Sequence, residues 1–291
     1  MDNNINKNIT IREAVHIGAD ILRKNNIDNA DYDSYALLEN IMAIDRTYYI
    51  LHGNDILPQD IREKFESAVM KRASHIPLQH IIGKAWFYGY EYNVNENVLI
   101  PRPDTEVLVE QVLSVTDEKS YILDMCTGSG CIIITIACEK HLSKGIGVDI
   151  SPQALKVAQS NIALHDVENV TLIESDLFNN LNDNIFNGNK ADVLVSNPPY
   201  IRTDVIETLS EEVKLHDPFI ALDGLGDGLY FYRKITQGAA AFLKKGGWLM
   251  YEIGHDQAED VKNIMLENGY SDISVVKDLA GLDRVVKGRL L

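Results

Sequence analysis

The spacing of apolar positions changes three times along the chain. From Thr10 to about Ile82 it is helical. Ile11, Val15, Gly18 and Leu22 share one face behind Thr10-Ile11-Arg12-Glu13, a capping box with threonine at the N-cap and glutamate at N3. A second helix is predicted over 31–44 (DYDSYALLENIMAI), and a third near Pro58, where proline suits a first turn. Ile61, Phe65 and Val69 mark the inner stripe of the third helix. Residues 1–82 are therefore expected to form a small helical domain. With no cofactor motif of its own, it is the part expected to choose the substrate.

The period then shortens to two. Trp86, Tyr88, Tyr90, Tyr92 and Val94 alternate as in a strand. VNENVL is expected to turn the chain back, which makes 83–103 a β-hairpin linker. Asp104 is expected to cap the next helix, with Glu106 near its positive end.

From Tyr121 onward, residues 104–291 show a third rhythm in which short apolar strands alternate with helices. YILDM, GIGVDI, VTLIES, ADVLVS and GGWLMYEIG read as strands. CIIITIACEK, PQALKVAQSNIALH, GLYFYRKITQGAAAFL and DQAEDVKNIMLENG read as helices. This is the pattern of an α/β, doubly wound parallel sheet. SDISVVKDL and DRVVKGRLL lie too close together for a helical crossover, so they are expected to pair antiparallel at the far end of the sheet.

Composition narrows the function classes. The formal charge of −16 divides into −2 over residues 1–84 and −14 over 85–291. A body this acidic repels phosphate backbones, so direct nucleic-acid binding is not expected. The polar start MDNNINKNIT lacks a basic-then-apolar signal pattern, and no apolar run is long enough to span a bilayer, so a cytoplasmic location is expected. Three cysteines without a C-x-x-C pair argue against a disulfide framework or a metal site. Cys131 and Cys138 are read as small hydrophobes on one helix face.

The chemistry gathers at the ends of the predicted strands. LDMCTGSG follows the first strand of the sheet and opens a helix, and glycines at 128 and 130 allow a ligand close to the backbone. The loop has neither the lysine of a nucleoside-triphosphate site nor a third glycine for a dinucleotide site. A nucleoside without a diphosphate suits it better, and S-adenosylmethionine has that form. Asp124 is placed to face an ammonium group, directly or through water. About twenty residues on, Asp149 is placed to hold a ribose, while Ser151 suffices to cap the following helix. After the third strand Asp176 can accept from an adenine amino group, with Leu177 covering the base, although an acid there can equally be a solvated turn residue.

The fourth strand of the sheet ends in Asn197-Pro198-Pro199-Tyr200. Two prolines fix two φ angles and remove two donors, leaving the Asn197 side-chain oxygen and the Pro198 carbonyl as rigid acceptors beside the flat Tyr200 ring. Such a hook fits a planar –NH2 group. His255 is read as a helix-start residue rather than an acid or base.

LIPRPDTE, DMCTGSG and VSNPPYI, in that order behind a helical domain, resemble the HemK/PrmC family of protein-glutamine methyltransferases, which modify peptide chain release factors. PLQHIIG and ALDGLGDGLYFYR extend the resemblance over nearly the whole chain. It implies a class I S-adenosylmethionine-dependent methyltransferase fold, Rossmann-like, with a mostly parallel seven-stranded sheet. It also implies transfer to the amide nitrogen (N5) of the glutamine in a release factor's Gly-Gly-Gln motif. By the same resemblance Asn197 and Pro198 bind that amide, Pro199 and Tyr200 complete the pocket, and Asp149 holds the ribose. Cys126, Thr127, Gly128, Ser129 and Gly130 form the cofactor loop. The family usually has glycine where Cys126 stands, so a positive φ is not expected there. An aromatic residue often follows the acid at 176, where this chain has Leu177. Other readings are methylation of a different glutamine protein such as a ribosomal one, amino-methylation of nucleic-acid adenine, and a binding protein that has lost its activity.

Overall fold

The computed structural model describes residues 8–140, 144–182 and 184–291, so the first seven residues of the polar start lie outside it. The chain forms two compact units that divide after Gly83.

The first unit is helical: α1 (Ile11–Lys24), α2 (Ala30–Met42), α3 (Arg46–His52), α4 (Gln59–Ala73) and α5 (Leu78–Ile82). The capping box forms as the sequence predicts. Thr10 Oγ1 accepts from the Glu13 N–H at 3.2 Å, and Glu13 returns a carboxylate to the Thr10 N–H at 2.8 Å. The stripes of α1 and α4 meet α2 in a core that includes Leu22, Leu37, Leu38, Phe65 and Val69. Asp33 and Arg72 form a buried ion pair between α2 and α4, with Nε–Oδ2 of 2.6 Å. Periodicity shows neither that pair nor the short helices α3 and α5.

The second unit opens with the hairpin β1 (Lys84–Phe87) and β2 (Tyr90–Asn93). Its turn is Tyr88-Gly89, with φ of 52° and 78°, and not the VNENVL stretch expected. Two successive left-handed residues match the twist of a tight hairpin, and glycine supplies one at little cost. The alternation in the sequence therefore runs through a turn. Phe87 and Tyr92 point into the core, while Trp86 is 71% exposed. Nor does the hairpin stand apart as a linker, because the Tyr92 hydroxyl is 2.7 Å from Thr135 Oγ1 and Asn161 Oδ1 accepts from the Asn93 N–H. VNENVL instead makes a separate turn, and Val94, Val98 and Ile100 then pack on Ala154 and Val157. Asp104 is not a helix cap. It lies inside a 3-10 turn, Pro103–Thr105, and its carboxylate is 3.4 Å from Arg284.

Next come α6 (Glu106–Val115), β3 (Tyr121–Met125), α7 (Cys131–Glu139), β4 (Lys144–Asp149), α8 (Pro152–Leu164), β5 (Val170–Glu174) and β6 (Ala191–Ser196). Three short helices follow, α9 (Thr203–Ile206), α10 (Glu211–His216) and α11 (Phe219–Leu222). The chain ends with α12 (Tyr230–Phe242), β7 (Leu243–Glu252), α13 (Ala258–Glu267), β8 (Tyr270–Lys277) and β9 (Asp283–Leu290). The sheet order is β5-β4-β3-β6-β7-β9-β8, parallel up to β7 and antiparallel for β9 and β8.

Successive strand residues serve opposite faces. Ile122, Val193, Val195 and Met250 meet α6 and α7, and Leu123, Leu194, Leu249 and Tyr251 meet α12 and α13. Helices on both faces explain why these strands are apolar throughout. The chain runs outward from β3 to β5 and then crosses back to β6 on the other side. That reversal opens a crevice at the carboxyl ends of β3, β4 and β6, where open α/β sheets bind ligands.

Candidate active site

The loop after β3 is built on three left-handed residues at alternate positions: Cys126 (φ 62°), Gly128 (57°) and Gly130 (79°). The expectation that a cysteine at 126 would avoid positive φ is therefore wrong. A side chain in this region costs roughly 1–2 kcal/mol, and the surroundings hold it there. The Thr127 N–H bonds the Val148 carbonyl at 2.9 Å, the Gly130 N–H bonds the Thr127 carbonyl at 2.9 Å, and the Thr127 hydroxyl donates to Asp124.

Asp124 lies fully buried beneath the loop rather than on its outer side, and its Oδ1 has no hydrogen-bond partner among the described residues. Burial pushes its pKa up to about 7; the charge of Asp149 adds to the rise, and the Thr127 hydroxyl opposes it.

Asp149 ends β4. Its Oδ2 accepts from the Gly128 N–H and its Oδ1 from the Ser151 N–H, both at 2.9 Å. Ser151 Oγ in turn caps α8 by accepting from the Ala154 N–H at 3.1 Å. Ser151, and not Asp149, is thus the cap of α8. Burial raises the Asp149 pKa, and the Ser151, Gly128 and Ile150 N–H groups offset part of the rise. Asp176 is exposed after β5, with the Asn179 amide 3.3 Å away, and Leu177 adopts φ 48° beside it.

At the end of β6 the Ser196 hydroxyl donates to the Met125 carbonyl at 2.6 Å, which ties the Asn197 turn to the β3 loop. Asn197 Nδ2 faces Thr105 Oγ1 at 3.4 Å, so its amide oxygen points the other way. The Tyr200 hydroxyl donates to Glu252 Oε1 at 3.3 Å, and its carbonyl accepts from Gln257 Nε2 at 3.0 Å. Burial, with the adjacent Glu252 charge, keeps the Tyr200 phenol un-ionised at any ordinary pH.

These elements enclose a cavity of about 230 Å³. Cys126, Thr127, Gly128, Ser129, Asp149, Asp176, Leu177, Asn197 and Pro199 lie on its wall. Four expected residues do not. Asp124 is under the loop. Gly130 starts α7, where a Cβ would meet Ile134 Cδ1 at 2.7 Å. Pro198 is buried, and Tyr200 is turned toward the end of β7. Several wall residues carry no local signal in the sequence, among them Ile150, Ile220 and Tyr230. Arg102 and Thr105 belong to the LIPRPDTE stretch, whose two prolines were the available hint of a rigid segment. Arg102 reaches the buried Asp217 at 2.8 Å across the cavity rim.

Gly128 has open space where a Cβ would stand, and Asp149 sets a carboxylate beside it. Ile150 and Leu177 add apolar surface. Such a wall suits a ligand with a hydroxylated ring and a flat heterocycle. Among the described residues no group of three or more His, Cys, Asp or Glu is arranged to hold a metal ion, and no helix is long and apolar enough to cross a membrane.

Comparison with known proteins agrees with this geometry. The PrmC N-terminal domain matches residues 13–83, and a methyltransferase domain matches 116–279. A release factor glutamine methyltransferase from Fusobacterium nucleatum is 41% identical over 268 residues, covering 91% of this chain and 75% of that one. One from Geobacter sulfurreducens is 39% identical over 282 residues and 97% of each chain. In fold, a methyltransferase from Pyrococcus furiosus superposes with a TM-score of 0.50 at 17% identity, over 70% of this chain and 90% of that one. The sheet order, the strand-end cavity and the length of these matches lead to one conclusion: the chain is a class I methyltransferase and belongs to the release factor glutamine methyltransferase family.

Proposed function

We propose that this chain uses S-adenosyl-L-methionine to methylate the side-chain amide nitrogen (N5) of the glutamine in the Gly-Gly-Gln motif of peptide chain release factors in the cytoplasm. The observation that carries the reading is the placing of Asn197 and Asp149 on one cavity wall, with the Asn197 amide nitrogen turned to Thr105. When bound, S-adenosyl-L-methionine supplies a methyl group on a positively charged sulfur.

The protein's own contribution is orientation. Asp149 holds the Gly128 loop and presents its carboxylate to the ribose hydroxyls. Asp176 and Leu177 receive the adenine. Asn197 Oδ1 accepts an amide hydrogen and directs the nitrogen toward the cavity. An amide nitrogen is a weak nucleophile, because its lone pair is shared with the carbonyl. Fixed acceptors that stabilise positive charge as it grows on that nitrogen are therefore the main means of acceleration, together with in-line positioning. Half-buried Cys126 and buried Cys131 do not supply a thiolate, since desolvation raises the pKa of both.

We assign substrate choice to the helical unit, whose near-balanced charge suits a protein partner. Binding energy gained away from the glutamine then aligns the amide for attack. The test is mass spectrometry of a release factor incubated with the full chain and S-adenosyl-L-methionine. A single methyl on the Gly-Gly-Gln glutamine is expected, lost when that residue is Asn and much slower on a short Gly-Gly-Gln peptide. An unmodified release factor under conditions where the cofactor binds would refute the reading.

A further inference from the structure

We infer that Arg102, held by Asp217, receives the main-chain carbonyls of the residues preceding the target glutamine as the substrate loop enters the cavity; this rests on the Gly-Gly-Gln reading given above. Among the described residues, the charged groups on the cavity wall are Asp149, Asp176 and Arg102, the one cation. Arg102 stands between Pro101 and Pro103, extended at φ −100° and ψ 142° ahead of the 3-10 turn. Two prolines restrict its main chain, so the side chain starts from a fixed point. Its Nη2 donates to Asp217 Oδ2 at 2.8 Å. The Asp217 side chain is 1% exposed and that of Arg102 is 43% exposed. A guanidinium carries five N–H donors in a planar fork. Among the described residues Asp217 takes one of them, which leaves four for a ligand.

Both anchors of this guanidinium belong to the acceptor side of the cavity. Asp217 lies between α10 and α11, in the segment that leaves the Asn197 turn at Ile201 and returns to it at Asp223. Its two ends are tied together: the Ile201 N–H donates to the Leu222 carbonyl at 3.0 Å, and the Gly224 N–H to the Ile201 carbonyl at 2.7 Å. Pro218 and Ile220 bring the same segment onto the cavity wall. Three residues after Arg102, Thr105 meets Asn197 at 3.4 Å. Asp149 and Asp176 stand elsewhere, at the end of β4 and after β5. A Gly-Gly-Gln loop brings no charge, and its two glycines present only carbonyls and N–H groups. A carbonyl that loses water beside apolar groups such as Ile220 and Tyr230 costs free energy unless a donor meets it, and the Arg102 fork supplies donors there. Burying Asp217 also has a cost. Desolvation raises its pKa, Arg102 opposes the rise most strongly, and Oδ1 has no hydrogen-bond partner among the described residues. The guanidinium that it fixes at the cavity mouth accounts for a carboxylate in that place.

The test compares the full-length wild type with Arg102→Lys, Arg102→Met and Asp217→Asn on a folded release factor and on a short Gly-Gly-Gln peptide. It records kcat, KM, cofactor Kd by calorimetry, and the thermal melt. Main-chain contacts away from the reacting nitrogen hold the ground state and the transition state alike, so their loss belongs in KM. On the folded factor Arg102→Met should raise KM about 10- to 100-fold, with kcat and cofactor Kd within about threefold of wild type. On the peptide kcat/KM should fall by the same factor. Arg102→Lys keeps the charge and loses the fork, so KM should rise only about 3- to 10-fold. Asp217→Asn frees the guanidinium and should fall between the two. If Arg102→Met or Asp217→Asn melts early, Arg102→Lys decides alone. An unchanged KM overturns the proposal, as does a loss confined to the folded factor, which would make Arg102 a remote docking contact. A tenfold rise in cofactor Kd also overturns it and assigns Arg102 to the carboxylate of the cofactor. Wild type that binds cofactor but methylates neither substrate overturns the underlying reading as well, and is distinguishable because no protein then turns over.

Discussion

Asp149→Asn separates the binding role of this residue from any role in holding the fold. The substitution keeps the shape and removes the charge. In the native loop the two carboxylate oxygens each take one backbone N–H at 2.9 Å, from Gly128 and from Ser151. An asparagine has one acceptor oxygen, so one of these N–H groups must face an –NH2. Losing a hydrogen bond to a charged acceptor costs about 1.5–3 kcal/mol, which corresponds to roughly 10- to 150-fold in an equilibrium constant. The loop and the ribose depend on the same two oxygens, so that loss should appear in S-adenosyl-L-methionine affinity. Folding stability should suffer less. Burial already disfavours the Asp149 charge, and removing it relieves that cost. Titration calorimetry and a thermal melt on the same preparation are the assays. Kd should rise within the stated range, with little change in Tm. An unaltered Kd would refute the assignment. A Tm that falls in proportion to the lost affinity would show the residue to be structural only.

Asn197→Ala should lower kcat by about 2.7–4 kcal/mol of barrier while cofactor Kd stays within a few-fold; steady-state kinetics with unchanged kcat would exclude it as the amide acceptor. Gly130→Ala forces a side chain into φ 79°, with its Cβ 2.7 Å from Ile134 Cδ1 and 3.2 Å from Ala158 Cβ. Left-handed strain and overpacking together predict about 2–5 kcal/mol of destabilisation in a urea melt, and a loss under about 0.5 kcal/mol would contradict the packing described. Asp124 has a folded pKa of about 7, above its ordinary 3.8, because it is buried. Below pH 4 it is protonated whether folded or not. Between pH 4 and about 7 the unfolded chain ionises first, so its contribution to stability falls as pH rises, and above that range the loss is complete. Asp124→Asn should therefore gain stability relative to wild type as pH rises from 4 to 8, and a constant difference in Tm would show that Asp124 is not the source.

The sequence by itself determined the architecture. Helical spacing up to Ile82, the strand–helix rhythm after Tyr121 and the antiparallel end strands all follow from burial periodicities of 3.6 and 2, which are local properties of the chain. It also marked the strand-end positions 126–129, 149 and 197, because ligands in such sheets gather there. Conformation inside a turn was less legible. Tyr88 continued an alternating run yet sits at φ 52°, and Cys126 takes φ 62° where a side chain is disfavoured. In each case hydrogen bonds and packing from elsewhere in the chain outweigh a local preference of only 1–2 kcal/mol. Which way side chains face was decided by the tertiary structure alone. Tyr200 turned toward Glu252, 52 positions later, and Asn197 toward Thr105, ninety-two positions earlier in the chain. A hydrogen bond depends on a partner within about 3 Å, and partners that distant in sequence become neighbours only after the sheet has formed.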